Sequence, residues 1–274
     1  MLSRSEIERR ISKVMPPILY CRLEEVARRL LNPARRGGLA RRTARDETGV
    51  FVEWPQTGER FYINHPFLHN RYVWPEGLTR IRNQLLNKYT DREVQLESGD
   101  TVVEAGANVG EFTTAAAMVV KQIYAFDPDP DTFRRLSKNT ASFANVHVFN
   151  EGLGNTEGEA EFFISHANSD SSFLGPHDKG DKSVRVPVIT VERVIERHRL
   201  EKIDFLKVEA EGFEPEILAG AGKRLKEVSK IAIDCGPERF GKPTFAECET
   251  ILKDSGFRIW RREPDWMLFG VRLS

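Results

Sequence analysis

Several things are scarce in this 274-residue chain. Three cysteines, Cys21, Cys235 and Cys248, are an odd number without metal-ligand spacing, which argues against a disulfide framework or a zinc site and points to a reducing, cytoplasmic setting. No run approaches the roughly 20 apolar residues that span a bilayer. The opening MLSRSEIERRISKVMPPILY has charges throughout and lacks the apolar stretch of a secretory signal. Net charge is also missing: 41 Lys plus Arg balance 41 Asp plus Glu, so a whole-surface attraction to nucleic acid is not expected.

That balance is uneven along the chain. Residues 1–49 hold twelve basic side chains against six acidic ones, with Arg28, Arg29, Arg35, Arg36, Arg41, Arg42 and Arg45 in close succession. Residues 1–47 therefore read as a basic helical arm. It either packs on the core as a solvated extension or contacts an anionic or membrane surface. Residues 48–98 form a second segment, with alternation over 50–64 predicting a hairpin around Thr57 and Gly58. Leu78, Ile81 and Leu85 then predict a helix over 76–88.

From residue 99 to 274 the rhythm becomes strand, helix, strand. TVVEAGA, QIYAFDP, VHVFNEGLG, IDFLKVEAEG and KIAIDCG read as strands, with helical stretches between most of them. The interval from 155 to 190 interrupts this with one extra strand, EAEFFISH, a polar loop and VRVPVIT. FRIWRRE and WMLFGVRLS form a closing antiparallel pair. Such alternation predicts an α/β, doubly wound, mostly parallel sheet, in which ligands sit at the carboxyl ends of the strands.

The strand ends therefore hold the candidate site residues. VVEAGANVGEFT places Glu104, Gly106, Asn108 and Gly110 between a buried strand and a helix. Glycines there allow a tight turn and close approach of a ligand to the backbone. The dinucleotide pattern G-x-G-x-x-G is absent, and a carboxylate two residues before the first glycine suits an ammonium better than a phosphate. A ligand with ribose, adenine and an amino-acid tail is S-adenosylmethionine. Asp127, at the next strand end, is placed to accept from ribose hydroxyls, although Asp127-Pro128-Asp129-Pro130 also reads as a helix cap. Glu151 and Gly152 are placed to line an adenine pocket.

The densest charge lies in IDFLKVEAEGFEPEILAGA, where Lys207, Glu209, Glu211 and Glu214 fall within eight residues. Charges clustered at a central strand end are either paired with one another or used by a ligand. Glu214 reads equally as a helix-terminal carboxylate.

Together, VVEAGANVGEFT, AFDPDPDTFRRLSKN, EGLGNTEG, VPVITVERVI and IDFLKVEAEGFEPEILAGA resemble the FkbM family of S-adenosylmethionine-dependent methyltransferases, over about residues 48–235. The resemblance implies the class I methyltransferase fold, a seven-stranded Rossmann-like sheet with its last strand antiparallel. It implies Glu104, Gly106, Asn108 and Gly110 as the cofactor loop, Asp127 on the ribose, and Glu209, Glu211 and Gly212 as a signature. Glu104 and Glu209 stand where many members have Asp. The implied reaction is O-methylation of a sugar, glycolipid or metabolite.

Glu209 and Glu211 are then the candidate catalytic residues, with His166 and His177 in a loop able to close over the site. A divalent cation on Glu209, Glu211 and Asp234 is a further option, though not the expected one. An NAD-dependent sugar-modifying enzyme is the competing reading, weakened by the missing third glycine and the lack of a Tyr-x-x-x-Lys pair. A binding module that retains the cofactor is another.

Overall fold

The computed structural model describes residues 42–54, 57–64, 72, 77–165, 171–176 and 181–273. Three strands come first, β1 (Arg42–Arg45), β2 (Val50–Trp54) and β3 (Glu59–Tyr62), paired antiparallel in that order. β2 and β3 are the expected hairpin, with Gly58 at φ 71° in its turn. β1 departs from the expected arm of residues 1–47, whose other residues up to Arg41 lie outside the described ones. RTAR has no apolar alternation, and its strand form comes from pairing, Thr43 with Val52 and Arg45 with Val50. Helix α1 (Gly77–Tyr89) follows and buries Leu78, Ile81 and Tyr89.

The core begins with β4 (Thr101–Ala105), every residue of which is buried. Then come α2 (Glu111–Ala116), β5 (Gln122–Phe126), α3 (Pro130–Thr140) and β6 (Val146–Phe149). β7 (Gly152–Leu153), β8 (Gly158–Ile164) and β9 (Lys182–Ile189) make a separate sheet in the order β7-β9-β8. The remaining elements are α4 (Val191–His198), β10 (Ile203–Val208), α5 (Glu214–Ala219), β11 (Val228–Asp234), α6 (Phe245–Asp254), β12 (Phe257–Arg262) and β13 (Met267–Arg272).

The main sheet runs β12-β13-β11-β10-β4-β5-β6. β4, β5, β6, β10 and β11 pair in parallel, and β13 is antiparallel to both β11 and β12. This is the doubly wound, Rossmann-like class I methyltransferase arrangement. Strand alternation feeds two cores. Val103, Ala105, Leu206 and Val208 join Val194, Ile217 and Leu252 on one face. Val102 and Phe205 join Tyr89, Phe112 and Leu136 on the other.

VHVFNEGLG is not one strand. Asn150 donates through Nδ2 to the carbonyls of Asp127 and Pro128, both at 3.0 Å, and so turns the chain away from the sheet edge. The stretch EPEILAGAGKRLKE likewise divides. α5 stops at Ala219, Gly220 packs against the Gly154 carbonyl, where a Cβ would stand 1.9 Å away, and a 3₁₀ turn covers Gly222–Glu227.

A third cluster lies under the N-terminal sheet, where Val52, Trp54, Phe61 and Ile63 pack with Leu78, Ile81 and Val109. Val109 belongs to the loop after β4, so the hairpin supports the outer side of that loop. Among the described residues no helix is long and apolar enough to cross a membrane.

Candidate functional site

The loop after β4 takes three left-handed residues within five: Gly106 at φ 71°, Asn108 at φ 50° and Gly110 at φ 88°. Glycine occupies such positions without a Cβ clash, and asparagine tolerates them better than most residues. Gly106 has a second requirement: a Cβ there would stand 1.8 Å from the carbonyl oxygen of Glu209. The Glu209 amide in turn donates to the Ala105 carbonyl at 3.2 Å. The glycine is thus demanded by the neighbouring strand as well as by the turn.

Asn139, on α3, fastens this loop from outside. Its Nδ2 donates to the carbonyls of Val109 at 2.7 Å and Tyr62 at 2.8 Å, while its Oδ1 accepts from the Tyr62 amide at 2.7 Å. One buried carboxamide therefore joins β3 to the glycine loop.

Asp127 lies at the end of β5 and is buried. Its Oδ2 accepts from the Asn108 amide at 2.8 Å and its Oδ1 from the Asp129 amide at 3.1 Å. Burial, reinforced by the charge of Asp129, pushes its carboxyl well above the usual range. The helix cap is Asp129, which accepts from the amides of Asp131 and Thr132, with Pro130 in the first turn. Asp127 is left at the strand end beside the loop.

Glu104 is fully buried at the end of β4. Its Oε2 accepts from Thr113 Oγ1 at 2.7 Å, and its Oε1 forms an ion pair with Lys207 Nζ at 3.4 Å but has no hydrogen-bond partner among the described residues. Burial raises its pKa, opposed by Lys207 and Thr113. The buried Oδ1 of Asn108 likewise has no hydrogen-bond partner among the described residues. A buried acceptor without a hydrogen-bond partner in the loop, beside a buried carboxylate oxygen held only by a 3.4 Å ion pair, marks the end of β4 as a place for a donor-bearing ligand.

From Glu104 a line of alternating charge crosses the strand ends. Lys207 Nζ reaches Glu209 Oε2 at 3.2 Å and donates to the Gly106 carbonyl at 2.6 Å. Its ammonium lies 5.0 Å from the centre of the Tyr89 ring. Lys88, on α1, then bridges Glu209 Oε1 at 2.9 Å and Asp234 Oδ2 at 2.7 Å. Burial acts to raise the Glu209 carboxyl, but Lys207 and Lys88 outweigh it and hold the pKa well below the carboxylate range. Burial would lower Lys88, and Glu209 and Asp234 reverse that to a raised pKa. Asp234 is raised by burial despite Lys88.

The segment after Glu209 is fixed from below. Glu214 Oε1 accepts from the amides of Ala210 at 3.1 Å and Gly212 at 3.0 Å, and its Oε2 accepts from Thr244 Oγ1 at 2.9 Å. Burial pushes this carboxyl up to about 7. Glu211 is held left-handed at φ 50°, and its carbonyl accepts from Ser172 Oγ at 3.0 Å. Arg239 donates to the Gly212 carbonyl at 2.8 Å and pairs with Glu216.

The structure brings Glu104, Gly106, Asn108, Asp127 and Glu209 together. Glu151 instead directs its carboxylate to Arg197 of α4, at 2.6 and 3.0 Å. Gly152 lies beneath Phe173, where a Cβ would meet the ring at 2.4 Å. His166 and His177 lie outside the described residues. Lys88 stands between Glu209 and Asp234, and among the described residues no group of three or more His, Cys, Asp or Glu side chains is arranged to hold a metal. Sequence reasoning missed Lys88, Thr113 and the role of Asn139. Only Asn139 carried a signal, a polar residue three positions after Leu136 on the apolar face of α3.

The FkbM methyltransferase domain model matches residues 104–259, more than half of the chain. A hexuronic acid methyltransferase, AglP, from Haloferax volcanii is 29% identical over 183 residues, covering 62% of this chain and 74% of that protein. Methyltransferase sdnD from Sordaria araneosa is 26% identical over 230 residues, covering 69% and 88%. A crystal structure of a methyltransferase FkbM from Methylobacillus flagellatus aligns with a TM-score of 0.46 and 14% identity, covering 74% of this chain and 60% of that one. The chain belongs to the FkbM family of S-adenosylmethionine-dependent methyltransferases.

Proposed function

We propose that the protein methylates a hydroxyl of a sugar acceptor, with a uronic acid as the leading class and S-adenosylmethionine as the donor. The observation that carries the cofactor reading is the coupling of the Glu104–Gly110 loop to Asp127, through the Asn108 amide at 2.8 Å, at the ends of adjacent parallel strands. The residues fit the group. Glu104 and the unpartnered Asn108 Oδ1 offer acceptors for an ammonium, and Asp127 offers a carboxylate for ribose hydroxyls. When bound, the cofactor supplies a methyl group on a positively charged sulfur. The sugar reading is supported by the similarity to the hexuronic acid methyltransferase of Haloferax volcanii.

The chain's own part is mainly to position and orient. Holding the acceptor oxygen in line with the methyl carbon can supply about 7–11 kcal/mol of the barrier. Glu209, kept ionised by Lys88 and Lys207, is a hydrogen-bond acceptor that orients a hydroxyl rather than a base matched to neutral pH. Glu211, in the same strained loop, is the second candidate for that contact.

The test is incubation of the full chain with methyl-deuterated S-adenosylmethionine and glucuronic acid, galacturonic acid or glucose, read by mass spectrometry. Label in a uronic acid, lost in Glu209→Gln, is the expected result. Label in glucose alone would overturn the uronic-acid class, and no labelled sugar would overturn the sugar reading.

A further inference from the structure

Five charged side chains form one continuous line across the carboxyl ends of β4, β10 and β11: Glu104, Lys207, Glu209, Lys88 and Asp234. The successive separations are 3.4, 3.2, 2.9 and 2.7 Å. Each lysine serves two carboxylates, and neither end of the line is closed by a third cation among these contacts. Counted as ionised, three carboxylates against two ammonium groups leave one net negative charge. The line is also fixed to the cofactor loop at two points. Lys207 donates to the Gly106 carbonyl at 2.6 Å, and the Glu209 backbone abuts Gly106 itself.

Much of this line is withdrawn from water. The side chain of Glu104 is 0% exposed and that of Lys207 2%, while Lys88, Asp234 and Glu209 are 28%, 18% and 32% exposed at the outer end. A residual charge in such surroundings is screened far less than one on the surface. It is also preorganised, since hydrogen bonds and ion pairs already hold the groups in place. Lys88 differs from the others in origin. It comes from α1, ahead of the matched family segment, and its removal would change the sum without touching the strands that carry the line.

The two forms of the cofactor differ in just this property. S-adenosylmethionine carries a sulfonium cation that S-adenosylhomocysteine, the product, lacks. We propose that the line from Glu104 to Asp234 discriminates substrate cofactor from spent cofactor by charge, and that Lys88 sets the degree of discrimination by cancelling part of the negative field. With Lys88 present the site favours the sulfonium form modestly, which lets the neutral product leave. Without it the preference sharpens. With a carboxylate removed the preference weakens.

The inference rests on the cofactor reading given above, and the experiment separates the two. Both ligands are titrated calorimetrically into the wild-type full chain, Lys88→Met, Lys88→Arg and Glu209→Gln at pH 8. The quantity read is the ratio of the two dissociation constants on each protein, which cancels any difference in folded fraction. The expected result is a shift of at least about threefold toward S-adenosylmethionine in Lys88→Met, and a shift of similar size in the opposite direction in Glu209→Gln. Lys88→Arg should keep the wild-type ratio. Ratios unchanged in Lys88→Met and Glu209→Gln, or moved the same way in both, would overturn the inference while leaving the cofactor reading intact. Failure of the wild-type protein to bind either ligand would overturn both.

Discussion

The carbonyl oxygen of Glu209 fills the space in which a side chain on Gly106 would begin, 1.8 Å from the position of its Cβ. The turn that opens the cofactor loop and the strand end that carries the acidic signature are therefore mutually exclusive with anything larger than glycine. Gly106→Ala is expected to strain the left-handed turn by about 1–3 kcal/mol before the clash is counted. A urea midpoint falling by more than a surface alanine substitution would cause, together with lost cofactor binding, is the expected outcome. An unchanged midpoint would contradict the close packing.

Asn139 satisfies two carbonyls and one amide through one buried carboxamide. Asn139→Ala should destabilise the protein by about 1–3 kcal/mol for each group left unpaired. Amide exchange should rise in residues 57–64 and in the loop around Val109 before it rises in β10 or β11. Uniform exchange across these segments would show that the hairpin is held by other means.

Glu104 and Asp127 should act on cofactor affinity with different effects on stability. Loss of a hydrogen bond to a charged group is worth about 1.5–3 kcal/mol, or about tenfold to a hundredfold in affinity. Asp127→Asn and Glu104→Gln are each expected to weaken S-adenosylmethionine binding by that range in calorimetry. Glu104→Gln should also lower the melting temperature, because Lys207 would lose the fully buried one of its two carboxylate partners. Retained affinity in both variants would remove these residues from the cofactor site.

The Glu214 carboxyl, raised by burial to about 7 from the usual 4.5, makes a signed prediction. Between these values the folded chain holds a proton that the unfolded chain has released. Its contribution is fully present below pH 4.5, falls as pH rises toward 7, and is flat above. The expected loss from this group is about 3 kcal/mol. Glu214→Gln should flatten the stability curve from pH 5 to 7 relative to wild type. Parallel curves would show that Glu214 does not titrate in that window.

Legibility followed locality. The hairpin of β2 and β3, the alternation from β4 through β6, and the antiparallel β13 were readable because each is written in a short run with its own period and turn residues. Glu104, Gly106, Asn108 and Gly110 were readable for the same reason, being one loop. β1 was not, because RTAR forms a strand only by pairing with β2. β7 was not, because Asn150 turns the chain through contacts with Asp127 and Pro128, more than twenty residues back.

By itself the sequence determined the hairpin, the alternation of strand and helix in the core, the glycine loop with its carboxylates and the family. Tertiary structure alone decided what those charges do. Lys88 is an ordinary helical lysine until α1 packs beside the sheet and sets it between Glu209 and Asp234. Glu151 is a lone carboxylate at a strand end until α4 brings Arg197 to it. Coulomb interactions between buried groups depend on distance and on the surrounding medium. Neither quantity exists in a chain until it has folded.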